Sequence, residues 1–285
     1  MGEVNNRLGV AIKFRLKKII HEYKSPYFEI IIADTDPLGK VLMFREGEDY
    51  TIQSAEKYDF YDEVLAHVPI MAHPNPNSVL IVGGGDGIVL REVLKYQMIK
   101  EVVIVEIDPK VVEICREYLK LDMGAFDDPR VSIVYDDAAE FVKKTKRKFD
   151  IIIGDYSDPY QDLPAGSLIS EEFYRNISRL LKPDGIVTVQ AGSPLFQREI
   201  FEKIYNNAHN AFRIAKIYWV PVPYYPGAIW AFVAASNSID PSIPRNQCKK
   251  DTKFYSVEIH HSLFVLPKFI SDILGDRGET GSVQE

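Results

Sequence analysis

Five residues, Gly83-Gly84-Gly85-Asp86-Gly87, interrupt an apolar run at 78–82 and lead directly into a helical pattern over 87–95. A strand that turns on glycine into a helix commits the chain to a β-turn-α unit, and lets a ligand approach backbone where side chains would collide. Here the turn also carries a carboxylate. Asp86 repels a pyrophosphate and attracts a sulfonium or an ammonium. The dinucleotide pattern G-x-G-x-x-G, begun at Gly83 and Gly85, needs a third glycine where Ile88 stands. An NAD-linked oxidoreductase is therefore disfavoured, and a positively charged ligand is expected.

From about residue 57 helices and strands alternate. Strands are expected at 78–82, 102–106, 131–135, 149–154 and 186–190, with helices at 87–95, 109–120, 137–144 and 170–182. That rhythm is α/β, a doubly wound parallel sheet. The stretches 214–221 and 228–235 read as a strand pair closing the sheet with an antiparallel edge. Upstream, 27–34 and 40–44 read as strands joined by the turn Asp36-Pro37-Leu38-Gly39. The expected division is an N-terminal β-domain over 1–56, a catalytic domain over 57–275 and a frayed polar tail over 276–285.

In such a sheet ligands sit outside the carboxyl ends of the strands. Four acids fall there: Asp86, Glu106, Asp137 and Asp155. Glu106 lies 21 positions beyond Gly85, where an acid accepts the ribose hydroxyls of a nucleoside. Asp108 reads as the cap of a helix starting at Pro109. The formal net charge of −7 argues against nucleic acid as the main partner and favours small cations. The basic run at 143–148 reads as a solvated helix end. Two cysteines, Cys115 and Cys248, fit a reducing, cytoplasmic setting without disulfides, Cys115 as a core residue. No apolar run approaches the ~18 residues of a membrane span, so no membrane partner is expected. His67, His260 and His261 form no metal-ligand spacing, and no metal is expected.

A second cluster, Gly154-Asp155-Tyr156-Ser157-Asp158-Pro159, sets two carboxylates three positions apart at a strand end. A primary amine has a pKa near ~10, so it arrives protonated and cannot attack. A carboxylate beside it pairs with the ammonium, then takes its proton as nitrogen bonds to carbon. The plain alternative is a helix-capping Asp-x-x-Asp-Pro turn. Tyr61, the turn Pro223-Tyr224-Tyr225-Pro226-Gly227 and Trp230 offer aromatic faces to an alkyl chain with charged ends. Taken singly, each is as readily core or surface filler.

Read in order, these residues resemble the spermidine synthase family, the polyamine aminopropyltransferases. The match runs from about 21 to 274. It is carried by Tyr61-Asp62-Glu63 ahead of His67-Val68-Pro69, by His73-Pro74-Asn75-Pro76, and by the glycine turn with Leu90-Arg91-Glu92-Val93. Val105-Glu106-Ile107-Asp108, Asp136-Asp137-Ala138, the 154–159 cluster and Pro223-Tyr224-Tyr225-Pro226 continue it. Tyr255, His260 and Phe264-Val265-Leu266-Pro267 close it.

The resemblance implies a Rossmann-like, class I methyltransferase-like sheet behind a small N-terminal β-domain, assembled as a homodimer or homotetramer. It implies transfer of an aminopropyl group from decarboxylated S-adenosylmethionine to an amine, releasing methylthioadenosine. The nucleoside donor is a co-substrate, and no cofactor is implied. On this reading Asp155 is the proton acceptor. Gln53, Gly83, Gly85, Asp86, Glu106, Ile107, Asp137, Ala138 and Pro164 hold the donor. Of these, Glu106 takes the ribose, Asp137 and Ala138 meet the adenine, Pro164 flanks it, and Asp86 binds the amino group of the propyl arm. Tyr61, Asp62, Asp86, Asp155, Asp158, Tyr225 and Trp230 line the amine channel.

Three departures stand out. Phe28 replaces a usual glutamine, Asp62 replaces a usual glutamine or histidine, and the 158–164 loop is about two residues longer, with Tyr160-Gln161-Asp162 inserted. An added acid at the amine end points to agmatine's guanidinium or to a longer diamine such as cadaverine. Two rival readings remain open. An S-adenosylmethionine-dependent methyltransferase shares the nucleoside half of the site, although the carboxylate of its intact donor would face Asp86. A non-catalytic polyamine-binding relative is the other, and the pairing of Asp155 with Asp158 speaks against it.

Overall fold

A computed structural model describes residues 2–5, 8–46, 49–247 and 251–275. Cys248 and the 276–285 tail lie outside the described residues. Six antiparallel strands form the first sheet: β1 (Gly2–Asn5), β2 (Val10–Lys13), β3 (Leu16–Lys24), β4 (Glu29–Thr35), β5 (Gly39–Glu46) and β6 (Asp49–Ala55). Their order is β2-β1-β6-β5-β4-β3. Successive strand residues face opposite sides, and both sides of β4 and β5 are covered. Ile31, Ala33, Val41 and Met43 join a core with helix α1 (Phe60–Ala72). Ile30, Ile32, Leu42 and Phe44 pack instead with Val111, Ile114, Cys115 and Leu119. This double burial explains why 30–33 is continuously apolar rather than alternating.

The second sheet has seven strands: β7 (Ser78–Gly83), β8 (Glu101–Glu106), β9 (Val131–Tyr135), β10 (Phe149–Asp155), β11 (Leu181–Gly192), β12 (Ile214–Pro221) and β13 (Ile229–Ser236). Their order is β12-β13-β11-β10-β7-β8-β9. The strands from β11 through β9 run parallel, while β13 is antiparallel to β11 and β12 to β13. Helices α2 (Ile88–Leu94), α3 (Pro109–Ile114), α4 (Ala138–Lys144), α5 (Glu171–Leu180) and α6 (Arg198–Ala211) link the strands. Helices α7 (Val257–Leu263) and α8 (Lys268–Leu274) follow the sheet. From β7 the chain winds outward to β9, then returns to place β10 on the other flank of β7, with Asp155 opposite Gly83. That reversal opens a crevice at the carboxyl ends of the two strands.

Local expectations meet the fold with two differences. The helix expected over 109–120 is α-helical only to Ile114 and continues as a π-helical turn, Cys115–Leu119, where the Lys120 N–H donates to the Cys115 carbonyl at 2.7 Å. Strand β11 begins at Leu181 rather than 186, with Leu181 paired to Phe149 of β10, so the helix expected to 182 stops at Leu180. Asp108 caps α3 through the Lys110 N–H at 2.9 Å, and Cys115 is buried in the core. His67 and His260 are buried in hydrogen-bonded networks, His67 between Tyr96 and Glu92 and His260 between Tyr255 and the Pro241 carbonyl. Lys143 and Lys144, at the end of α4, pair with Glu140 and Glu172. Among the described residues no helix is long and apolar enough to cross a membrane.

Candidate active site

The glycine turn is welded to the end of β10. The Gly84 N–H donates to the Asp155 carbonyl at 2.8 Å, and a Cβ on Gly83 would lie 2.0 Å from that same oxygen. No side chain fits there. A Cβ on Gly85 would come within 2.9 Å of Glu106 Oε2, so this glycine makes room for the neighbouring carboxylate. Asp86 Oδ1 accepts the Ile88 N–H at 2.9 Å, which satisfies one orphan donor of α2 and fixes the acid at the crevice.

A cleft of about 820 Å³, its open solvent included, lies over this turn. Every donor-binding residue named from the sequence lines it: Gln53, Gly83, Gly85, Asp86, Glu106, Ile107, Asp137, Ala138 and Pro164, joined by Tyr61, Asp155 and Tyr225. Phe28 lies on the same wall, stacked on Phe44 with ring centroids 4.2 Å apart. An apolar platform thus stands where a polar contact was missed. Glu106 is 7% exposed and accepts the Asp108 N–H at 3.0 Å. Burial first, then the charges of Asp108 and Asp86, push its carboxyl up to about 7 against two backbone N–H groups that favour ionisation. Asp137 Oδ1 caps α4, accepting from Ala139 at 2.7 Å and Glu140 at 3.2 Å.

A second pocket adjoins the first and shares Gln53, Tyr61, Tyr156, Ser157 and Tyr225 with it. It also holds Asp158 and Trp230, as expected, together with Gln190 and Gln197, which sequence reasoning missed. Gln197 Nε2 donates to Asp158 Oδ2 at 2.8 Å and to the Tyr160 hydroxyl at 3.0 Å, while its Oε1 accepts the Ser193 N–H at 2.9 Å. The inserted loop therefore reaches this pocket through Tyr160. Tyr225 packs 4.3 Å from Trp230, and its hydroxyl donates to the Gln53 carbonyl at 3.0 Å. Gln190 ends the parallel part of β11, so the strand-end rule that found the four acids could have found it too. Gln197 carries no comparable signal, since only folding brings it across 39 positions to Asp158.

Asp62, read from the sequence as an acid of the amine channel, lines neither pocket; it lies behind them with Asp86 and Asp155 of the same set, carboxylate oxygens of all three within 4.8 Å of one another. On a helix of 3.6 residues per turn, Tyr61 takes the cleft-facing position of α1 and Asp62 turns about 100° away into the interior. Asp62 is 3% exposed. Burial raises the carboxyls of Asp62 and Asp155 well above the usual range, with the charge of Asp86 adding to both, and raises that of Asp86 against the Ile88 N–H and Arg91. The Tyr61 hydroxyl, hydrogen-bonded to Asp155, works the other way. Unit charges at this spacing repel by ~3.5 kcal/mol at an effective dielectric constant of about 20. Arg91, whose field reaches Asp62, is engaged with Asp59 at 2.7 Å, Glu92 at 3.0 Å and the Leu121 carbonyl at 2.8 Å. Such a cluster attracts cations. Three carboxylate oxygens would also suit a hard divalent ion, whereas the adjoining glycine turn and apolar walls fit a nucleoside with a cationic arm.

Residues 58–247 match the family model of the spermine/spermidine synthase domain. The chain belongs to the spermine/spermidine synthase family. The polyamine aminopropyltransferase of Moorella thermoacetica is 41% identical over 268 residues, 93% of each chain. That of Methanocaldococcus jannaschii is 37% identical over 272 residues, 92% of this chain and 91% of its own. A solved spermidine synthase in complex with the transition-state analogue AdoDATO superposes with a TM-score of 0.90 at 35% identity, covering 96% of this chain and 94% of that one. The spermidine synthase from Thermotoga maritima gives a TM-score of 0.88 at 35% identity, over 96% and 93% of the two chains. The Rossmann-like sheet preceded by an antiparallel β-sheet is thus the architecture this family member shares with its solved relatives.

Proposed function

We propose that this family member moves an aminopropyl group from decarboxylated S-adenosylmethionine to a short α,ω-diamine and releases methylthioadenosine. The observation that carries the reading is the junction of two pockets, one shaped for a nucleoside and one acidic and aromatic, which meet at Tyr61 and Tyr225 beside Asp155. The names of the relatives and the AdoDATO complex of a solved one support it. Glu106 accepts from the ribose, Asp137 and Ala138 border the adenine, and Asp86 pairs with the ammonium of the donor's arm. The acceptor lies in the second pocket with its far end at Asp158.

The sulfonium is already a good leaving group, so the protein's tasks are orientation and deprotonation. The acceptor nitrogen gives its proton to Asp155 and attacks the methylene beside sulfur. The carbon–sulfur bond breaks, and its electron pair stays on sulfur as a neutral thioether. Holding both reactants in adjoining pockets is worth effective concentrations of ~10⁵ M or more when the geometry is well aligned. Asp158, held by Gln197 at 2.8 Å, lines the second pocket and pairs with the acceptor's far cation. The diamine assignment rests on the spermidine synthases among the solved relatives.

The test is a mass-spectrometric product screen with decarboxylated S-adenosylmethionine and putrescine, cadaverine, agmatine or spermidine. Aminopropylated diamine and equimolar methylthioadenosine are expected. Agmatine as the sole acceptor overturns the diamine assignment. Methyl transfer from intact S-adenosylmethionine, or binding of amines with no product, overturns the reaction itself.

A further inference from the structure

Resting on the aminopropyl-transfer reading, we propose that Asp62 is a positioning residue that holds the cluster's proton before the donor binds, which leaves Asp155 ionised for the acceptor, and gives that proton to solvent when the donor's cationic arm enters. The argument begins with geometry. Asp62, Asp86 and Asp155 bring their oxygens within 4.8 Å of one another, and Asp62 is 3% exposed. Among the described residues, the groups whose charge bears on them include Asp59 and Tyr61 on α1, Glu106 on β8, Cys115 and Asp122 in and after the π-helical turn, and Arg91 on α2, with Tyr156 and Tyr225 around Tyr61. Arg91 is the cation of this set, and its guanidinium is bound to Asp59, Glu92 and the Leu121 carbonyl.

Three neighbouring carboxyls with Arg91 committed elsewhere do not all ionise in an empty site. Asp62, the most buried of them, is where a proton is best kept. The donor brings two positive charges, a permanent sulfonium and an ammonium whose pKa near ~10 keeps it protonated. Once the ammonium stands against the cluster, the carboxyl O–H bond breaks, the proton goes to solvent and the negative charge stays on oxygen. No bond of the donor changes. Asp155, ionised because the cluster's proton sat on Asp62, receives the acceptor's proton.

The experiment is calorimetric titration of the whole protein with decarboxylated S-adenosylmethionine alone, in buffers of different ionisation enthalpy, between pH 6 and 8. Methylthioadenosine, which lacks the cationic arm, is the reference, because it engages Glu106 equally and cancels that group's proton. We expect the wild type to release more protons with the donor than with methylthioadenosine. In Asp62→Asn that excess falls by at least about twofold, as linkage requires when the titrating group is removed. Circular dichroism and an unchanged methylthioadenosine affinity show that the variant is folded. No excess in the wild type, or the same excess in Asp62→Asn, overturns the proposal. The transfer assay separates the two readings: a wild type that makes product but shows no Asp62-dependent proton release loses only this inference.

Discussion

Replacing Asp155 by asparagine keeps the side chain's shape, and keeps the backbone carbonyl that receives the Gly84 N–H at 2.8 Å. It removes the proton acceptor. Two effects of opposite sign follow. Loss of a general base lowers turnover by ~10²–10⁴-fold, or about 3–5 kcal/mol in the barrier. In the empty protein the same change relieves strain, since an ionised Asp155 lies within 4.8 Å of Asp62 and Asp86, and whichever of them is ionised repels it by ~3.5 kcal/mol at an effective dielectric constant of about 20.

The pH dependence fixes the sign. The folded-state pKa of Asp155 is raised above its ordinary value by burial and by Asp86. Its contribution to stability is therefore fully present below about pH 4 and is lost as pH rises toward that raised value. Asparagine has no such slope. Thermal unfolding without ligand should show the variant close to wild type near pH 4 and more stable at pH 8.5, the gap widening between. At ~2–4 °C per kcal/mol for a chain of this size, the difference is easily read. Turnover within tenfold of wild type would show that another group takes the proton. A variant that loses stability relative to wild type as pH rises would refute the charge-cluster argument.

Three further outcomes are expected. Methylthioadenosine affinity of the wild type should strengthen as pH rises through about 7, where Glu106 becomes a carboxylate; Glu106→Gln should flatten that profile and weaken binding by ~10-fold, read by calorimetry. Gln197→Leu frees Asp158 from its 2.8 Å anchor, and steady-state kinetics should show the acceptor KM up by ~10-fold with kcat little changed. Glu63 accepts the N–H groups of Lys253, Phe254 and Tyr255 at 2.6, 2.9 and 2.8 Å. Glu63→Ala strands three backbone donors and should cost ~3–5 kcal/mol in denaturant unfolding, with earlier proteolysis near residue 253.

Much of this molecule is written locally. The apolar run at 78–82, the glycines after it and the acids at successive strand ends announce the parallel sheet and the nucleoside cleft, because period and turn chemistry act over a few residues. Gly83 and Gly85 show how direct this is: the side chains they lack would collide with Asp155 and Glu106. The strand pair at the sheet edge and the cap at Asp108 were legible for the same reason. Less was legible where one segment's environment is supplied by another. The apolar run at 30–33 signals burial of both faces but not that α1 covers one and the π-helical turn the other.

The sequence by itself determined which chemical groups are available and the order in which the strands offer them: a glycine turn, a ribose acid, a pair of acids three apart. Only tertiary structure decided their company. Packing of α1 turned Asp62 away from the amine pocket and into contact range of Asp86 and Asp155, and the start of α6 brought Gln197 to Asp158. Backbone pattern is a short-range property, whereas the charge a buried acid feels depends on every element folded against it.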